Sequence, residues 1–198
     1  MQFEKTKTYQ NLAASFAGES QAGMRYQMIA KLAMQEDMKC LADAIRTIAK
    51  NETFHATQFF NKMIEKAGSK DNVQLDAGYP FHAGSLLEGL QFAEGDEKAE
   101  ATEIYPQFAD VAEEEGFKDI AALFKMVASV EESRKVIFNY LKKAVKDGTL
   151  YKCDKPILWI CSQCGYMHVA TEAWEICPLC KAKQGYVDLH LPFEGIRK

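Results

Sequence analysis

Nowhere in the 198 residues do about 18 apolar residues follow one another, the length a membrane-crossing helix needs. The opening stretch, MQFEKTKTYQNLAASF, also lacks the apolar centre of a secretory leader, so a cytoplasmic protein with no membrane partner is expected. Basic charge is not in excess: 24 Lys and Arg stand against 28 Asp and Glu, for a formal net charge of −4. That balance excludes the electrostatic footprint of a nucleic-acid or anionic-membrane binder. Glycine-rich phosphate cradles are missing too. Neither G-x-G-x-x-G nor a P-loop occurs, so any nicotinamide chemistry has to reside in a separate protein. No internal repeat and no low-complexity tract interrupts the chain.

What is present is unusual in its placement. Residues 6–145 have helical periodicity, broken near Asp37, near Gly68 and at Gly116. Four helices are expected: Tyr9 to Gln35, Cys40 to Ala67, Gly84 to Glu115 and Phe117 to Lys146. The link GSKDNVQLDAGYPFHAG between the second and third is far longer than the flanking turns, as in a bundle whose middle helices run parallel through a crossover. The fold class expected is an all-α, four-helix, ferritin-like bundle over residues 1–148. A small, mainly β and loop, metal domain is expected over 149–198, where the helical stripe stops after Asp147-Gly148.

Each helix carries acid in the middle of its apolar stripe. The first reads Leu12, Phe16, Glu19, Gly23, Tyr26, Ala30, Ala33; the second Leu41, Ile45, Ile48, Glu52, His55, Phe59, Met63. The third reads Leu86, Leu90, Ala93, Glu97, Glu100, Ile104, Phe108. The fourth reads Ile120, Leu123, Val127, Glu131, Arg134, Phe138, Leu141, Val145. An unpaired buried carboxylate costs several kcal/mol, so Glu19, Glu52, Glu97, Glu100 and Glu131 at one level of a bundle call for a strong cation. Positions three apart on a helix lie roughly 5–6 Å apart at Cβ, so Glu52 and His55 can serve neighbouring ions. Carboxylate with imidazole suits iron or manganese. Glu94 and Glu103 fall off the stripe and are expected in solvent.

Cysteine supplies the second pattern. Of the six, four form two C-x-x-C pairs, Cys161 with Cys164 and Cys177 with Cys180, and each pair presents two thiolates to one ion. A tetrahedral S₄ site selects iron or zinc. A zinc ribbon remains open on spacing alone, but the flanking Trp159, Tyr166, Trp174 and Tyr186, with Gly165 and Pro178, suit a rubredoxin-like knuckle holding iron. Cys40 and Cys153 stand apart and read as structural or incidental thiols; His168 and His190 read as packing or surface residues. His82 lies too far before Glu97 to ligate beside it.

The pieces AGESQAGMRY, NETFHA, EKAEATEIYPQF, ICSQCGY and ICPLC together resemble the rubrerythrin family over almost the whole chain. The resemblance implies a di-iron site held by Glu19, Glu52, His55, Glu97, Glu100 and Glu131, with Tyr26 and Tyr105 behind the ligands. It also implies an FeS₄ centre on Cys161, Cys164, Cys177 and Cys180. The implied activity is reduction of hydrogen peroxide to water in oxidative-stress defence, with electrons entering at the FeS₄ centre. They would come from an external NAD(P)H-dependent reductase or a rubredoxin, and the assembly would be a homodimer or larger homo-oligomer. In the family one iron moves between a glutamate and a histidine as it changes oxidation state, and the matching positions are Glu100 and His55.

One position departs from the pattern. The family has E-x-x-H on the fourth helix, where this chain has Glu131-Glu132-Ser133-Arg134. A guanidinium cannot ligate a metal, although it can pair with a carboxylate. The departure supports a second reading, an electron-transfer or iron-handling protein with impaired peroxidase chemistry. A zinc-ribbon module on a helical scaffold is the third.

Overall fold

The computed structural model describes residues 2–69, 71–81 and 84–192; His82 lies outside them. Helix α1 (Lys7–Gln35) begins where the Thr6 hydroxyl accepts the Tyr9 backbone N–H at 3.1 Å. It pairs along its length with α2 (Lys39–Lys66). After a stretch without regular structure over 71–81, Ser85 and Glu88 form a reciprocal capping box that starts α3 (Leu86–Ala99). A π-helical turn (Glu100–Ile104) leads into α4 (Tyr105–Glu114), and α5 (Lys118–Asp147) packs against α3 and α4.

The third expected helix is therefore interrupted. Pro106, in the first turn of α4, has no N–H to donate and its ring crowds the carbonyl four residues back. The chain widens instead, and the Tyr105 N–H reaches back five residues to the Glu100 carbonyl. The extra residue shifts the inward face by one position: Tyr105, Ala109 and Ala112 are buried, whereas Ile104, expected inside, is 38% exposed. Phe16 is likewise outside the expected stripe, 38% exposed and packed on Phe60 across the α1/α2 surface. The α2 stripe is buried throughout, from Leu41 through Glu52 and His55 to Met63. In α5, Phe124 is buried in place of half-buried Leu123.

Helix α5 ends at Gly148 in the left-handed region, and the chain turns into an antiparallel pair, β1 (Lys152–Ile160) and β2 (Met167–Glu172). This small unit is not held at arm's length. Leu150, Tyr151, Trp159, Ala173 and Val187 share one buried cluster with Leu41, Ile45, Phe138 and Leu141 of the bundle. Lys183 pairs with Asp37 at 2.6 Å across the α1–α2 turn, and the buried Cys40 thiol lies 3.3 Å from the Ser162 hydroxyl. Cys40 is thus a packing thiol at the seam. His190 caps the Leu158 carbonyl at 2.9 Å and meets Trp159 edge-on, while His168 lies exposed on β2.

Candidate metal centres

The four-helix level that the stripes mark out is buried. Glu19, Glu52, Glu97 and Glu131 are each at most 1% exposed, His55 is 9% exposed, and Glu100 is half-buried at the head of the π turn. Glu100 follows Glu97 by three positions on the same helix, and the wide turn begins at it. Ligand atoms of Glu19, Glu52, His55 and Glu131 all lie within 4.8 Å of one another. His55 Nδ1 stands 3.0 Å from Glu131 Oε1, 3.4 Å from Glu19 Oε2 and 3.6 Å from Glu52 Oε2.

Tyrosines hold the outer oxygens of two carboxylates. Tyr26 donates to Glu97 Oε1 at 2.8 Å, and Tyr105 donates to Glu19 Oε1. Arg134 Nη1 donates to Glu52 Oε1 and, at 2.8 Å, to Glu131 Oε2. What remains is a set of inward atoms without any hydrogen-bond partner: Glu19 Oε2, Glu52 Oε2, His55 Nδ1, Glu97 Oε2 and Glu131 Oε1. Orphaned buried acceptors on this scale are rare in folded proteins. A divalent ion accepted by hard oxygens and one imidazole satisfies those of Glu19, Glu52, His55 and Glu131 together, so the residues on the His55 side fit a metal.

Proton affinities record the same crowding. Burial first, and then the neighbouring carboxylates, push Glu19, Glu97 and Glu100 well above the usual carboxylate range. Burial opposes ionisation of Glu52 as well, but the adjoining Glu19 and His55 groups and the Arg134 charge hold it low. Burial works against a charged His55, yet Glu131, Glu19 and Glu52 overrule it and raise its pKa to about 11. Tyr26 and Tyr105 are raised by burial and by the carboxylates beside them, so both remain proton donors.

Two cavities reach this level. One of about 280 Å³ lies under the loop around Tyr79 and touches Glu100 and Tyr105. Its roof is fixed by the Tyr79 hydroxyl, 3.0 Å from the Ala14 carbonyl, and the Arg25–Asp96 ion pair forms part of its wall. The other, about 480 Å³, lies between α2 and α5 and touches His55 and Arg134. Neither the Tyr79 roof nor the Arg25–Asp96 pair was legible as a site feature, because both lie off the apolar stripes. Glu94 and Glu103 are as expected away from the site, Glu94 paired with Lys142 at 2.7 Å and Glu103 exposed.

The cysteines meet at the end of β1. The Sγ atoms of Cys161, Cys164, Cys177 and Cys180 lie within 4.8 Å of one another, with Cys161–Cys180 at 3.8 Å and Cys164–Cys177 at 3.7 Å. A tetrahedron with metal–sulfur bonds of roughly 2.3 Å has edges of roughly 3.8 Å, so the quartet fits one ion. The two knuckles repeat one design. Gly165 N–H closes on the Cys161 carbonyl at 2.8 Å and Lys181 N–H on the Cys177 carbonyl at 3.0 Å, each from the left-handed region. Glycine takes that conformation freely at 165; Lys181 takes it at some strain. Burial opposes the Cys177 thiolate, but the Cys180 and Leu179 amides and the thiols of Cys180 and Cys164 bring its pKa to about 7.

The chain is similar to known proteins in both parts. The family model for rubrerythrin matches residues 10–142, and that for the rubrerythrin rubredoxin-like domain matches residues 159–186. Rubrerythrin of Clostridium perfringens (strain 13 / Type A) is 37% identical over 185 residues, covering 93% of this chain and 94% of that one. Rubrerythrin of Porphyromonas gingivalis is 36% identical over 184 residues, covering 92% and 90%. Among solved structures, the fully reduced, all-ferrous state of nigerythrin superposes with a TM-score of 0.62 at 23% identity, covering 95% of this chain and 91% of that one. A bacterioferritin of Desulfovibrio desulfuricans superposes at 0.53 and 20% identity, covering 72% and 86%, a likeness of fold alone.

Proposed function

The chain belongs to the rubrerythrin family, with a di-iron carboxylate site and a rubredoxin-like four-cysteine site, and on that premise we propose that it reduces hydrogen peroxide to water. Residues 1–148 are assigned to the di-iron bundle and 149–198 to the electron-accepting FeS₄ unit. Glu19, Glu52, His55, Glu97, Glu100 and Glu131 hold metal in the bundle; Cys161, Cys164, Cys177 and Cys180 hold the other iron. The observation that carries this reading is the ring of inward oxygens and one imidazole nitrogen left without partners at a buried level of the bundle, in the same chain as an S₄ quartet.

When bound, iron supplies the two electrons that break the O–O bond, so that hydrogen peroxide, two electrons and two protons give two waters. The chain's own residues supply the rest. Tyr105 holds a proton at its hydroxyl oxygen against Glu19, and Tyr26 holds one against Glu97. Glu100 borders the cavity under Tyr79, which is large enough for a peroxide molecule. The Phe59, Phe124 and Tyr105 rings exclude water below the site. Electrons come one at a time from an external NAD(P)H-dependent reductase or a rubredoxin, and a homodimer or larger assembly is part of the proposal.

The test is anaerobic. Reduced, iron-loaded protein mixed with peroxide in a stopped-flow instrument should regain its visible thiolate-to-iron bands. Cys161→Ser should abolish those bands while the helical circular dichroism stays. Wild-type protein that stays reduced with peroxide present overturns the peroxidase assignment. Arg134 favours the second reading, an electron-transfer or iron-handling protein; bundle iron oxidised without turnover would support it.

A further inference from the structure

We infer that the Arg134 guanidinium occupies the place of a second cation, so that the bundle binds one divalent ion tightly beside His55 and a second only when the guanidinium withdraws. This rests on the ligand assignment above and adds an order of loading to it. The geometry is a split of oxygens. Glu52 gives Oε1 to Arg134 Nη1 and leaves Oε2 unpartnered toward His55; Glu131 gives Oε2 to the same nitrogen at 2.8 Å and turns Oε1 to His55 at 3.0 Å. A carboxylate bridging two metals would present one oxygen to each. Here each of the two presents one oxygen to the His55 side and one to a fixed positive charge.

The two sides are consequently unequal. Beside His55, three oxygens and one imidazole nitrogen converge without a hydrogen bond to any of them. On the Arg134 side, Nη1 already stands between Glu52 and Glu131 and offers no lone pair. A second ion must displace two charge-assisted hydrogen bonds made by groups 4% exposed or less. The protein provides somewhere for the guanidinium to go. Arg134 lines the cavity of about 480 Å³ between α2 and α5, where Asn51 and Ser133 offer polar neighbours. Arg134, always charged, holds Nη1 between Glu52 and Glu131, and its charge acts on Glu97 and Glu19 as well.

The probe is Mn(II), which prefers carboxylate and imidazole to thiolate, added anaerobically to full-length protein whose cysteine site already holds iron. The paramagnetic resonance of free Mn(II) gives the binding curve without any peroxide. Wild type should bind one ion tightly and a second roughly a hundredfold or more weakly, the size expected for breaking a buried charge pair. Arg134→His should bring the two constants within about tenfold. Arg134→Met, which removes the charge without supplying a ligand, should tighten the second ion above wild type. Two equal ions in wild type, or a second constant unmoved in both variants, overturns the inference while leaving the peroxidase reading standing. No Mn(II) bound in any variant overturns the inference together with the ligand set. A silent peroxide assay beside the expected binding curves removes only the peroxidase reading.

Discussion

Gly185 lies directly against the backbone carbonyl of Asp37: a methyl group at 185 would overlap that oxygen and crowd Met38 Cα. The four-cysteine unit is therefore seated on the α1–α2 turn of its own chain through a contact that only glycine permits. The Lys183–Asp37 pair at 2.6 Å and Lys39 over the Tyr186 ring flank it. The first is exposed and the second only half-buried, so both contribute little by comparison, and the seam depends on close packing and on the shared apolar cluster around Trp159 and Val187.

Gly185→Ala should loosen that seat. Overpacking typically costs about 1–3 kcal/mol, and here the strain falls on backbone that cannot retreat as a side chain can. The variant should melt earlier and be cut faster by protease after Gly148, with its visible thiolate bands intact. An unchanged melting temperature and cleavage rate would mean that the two parts do not pack in solution as described.

The α2 stripe was fully legible because seven inward positions obey one period without interruption, and Glu52 and His55 were placed by that period alone. The same reasoning slipped on the third helix. A π turn inserts a residue, and everything after Glu100 rotates, exposing Ile104 and burying Tyr105. The signal was Pro106, whose missing donor disturbs the ladder upstream. Docking of the cysteine unit on the bundle was not legible at all, since Gly185 is far in sequence from Asp37 and Cys40 and none of them belongs to a periodic pattern. Arg134 was legible as a departure, but not the division of carboxylate oxygens it imposes.

Glu52→Ala should lose bundle metal far more completely than Glu94→Ala. Glu52 is buried with one oxygen aimed at His55, whereas Glu94 is partly exposed and engaged by Lys142, a pairing of about 0.2–1 kcal/mol. In the first variant Arg134 also loses one of its two partners. Iron quantitation after anaerobic loading and desalting gives the comparison, and equal losses would show that the inward stripe does not define the site.

Metal-free protein should become less stable as pH rises, from about pH 5 through the neutral and alkaline range. Glu19, Glu97 and Glu100 hold protons in the folded chain above the pH at which they lose them unfolded. His55 behaves alike: its pKa of about 11 against 6.5 means that its contribution is complete below 6.5 and is lost as pH climbs through 11. All four groups bind more protons folded than unfolded, so the slopes share one sign. Glu52, held low, does not oppose them in this range because its contribution is already complete above its unfolded value. Metal replaces those protons, so loaded protein should show a flat or rising profile across pH 6 to 9. Melting temperatures of both forms decide it; parallel profiles would contradict the proton assignments.

Tyr105→Phe should slow peroxide-driven oxidation without lowering iron content. The Tyr105 hydroxyl donates to Glu19 Oε1 from a site 2% exposed and also borders the cavity under Tyr79. Burial, with the charges of Glu19 and Glu100, keeps the phenol protonated, so it can deliver a proton from its oxygen when the O–O bond breaks. Positioned acids typically contribute about 10²–10⁴-fold, so a decrease of roughly a hundredfold is expected. The solvent deuterium effect on the rate should change with it, which a purely structural role would not produce. Tyr79→Phe provides the contrast: it removes only the hydrogen bond to the Ala14 carbonyl and should leave both the rate and its isotope effect within about twofold. Equal rates for Tyr105→Phe and wild type at equal iron content would assign proton delivery elsewhere.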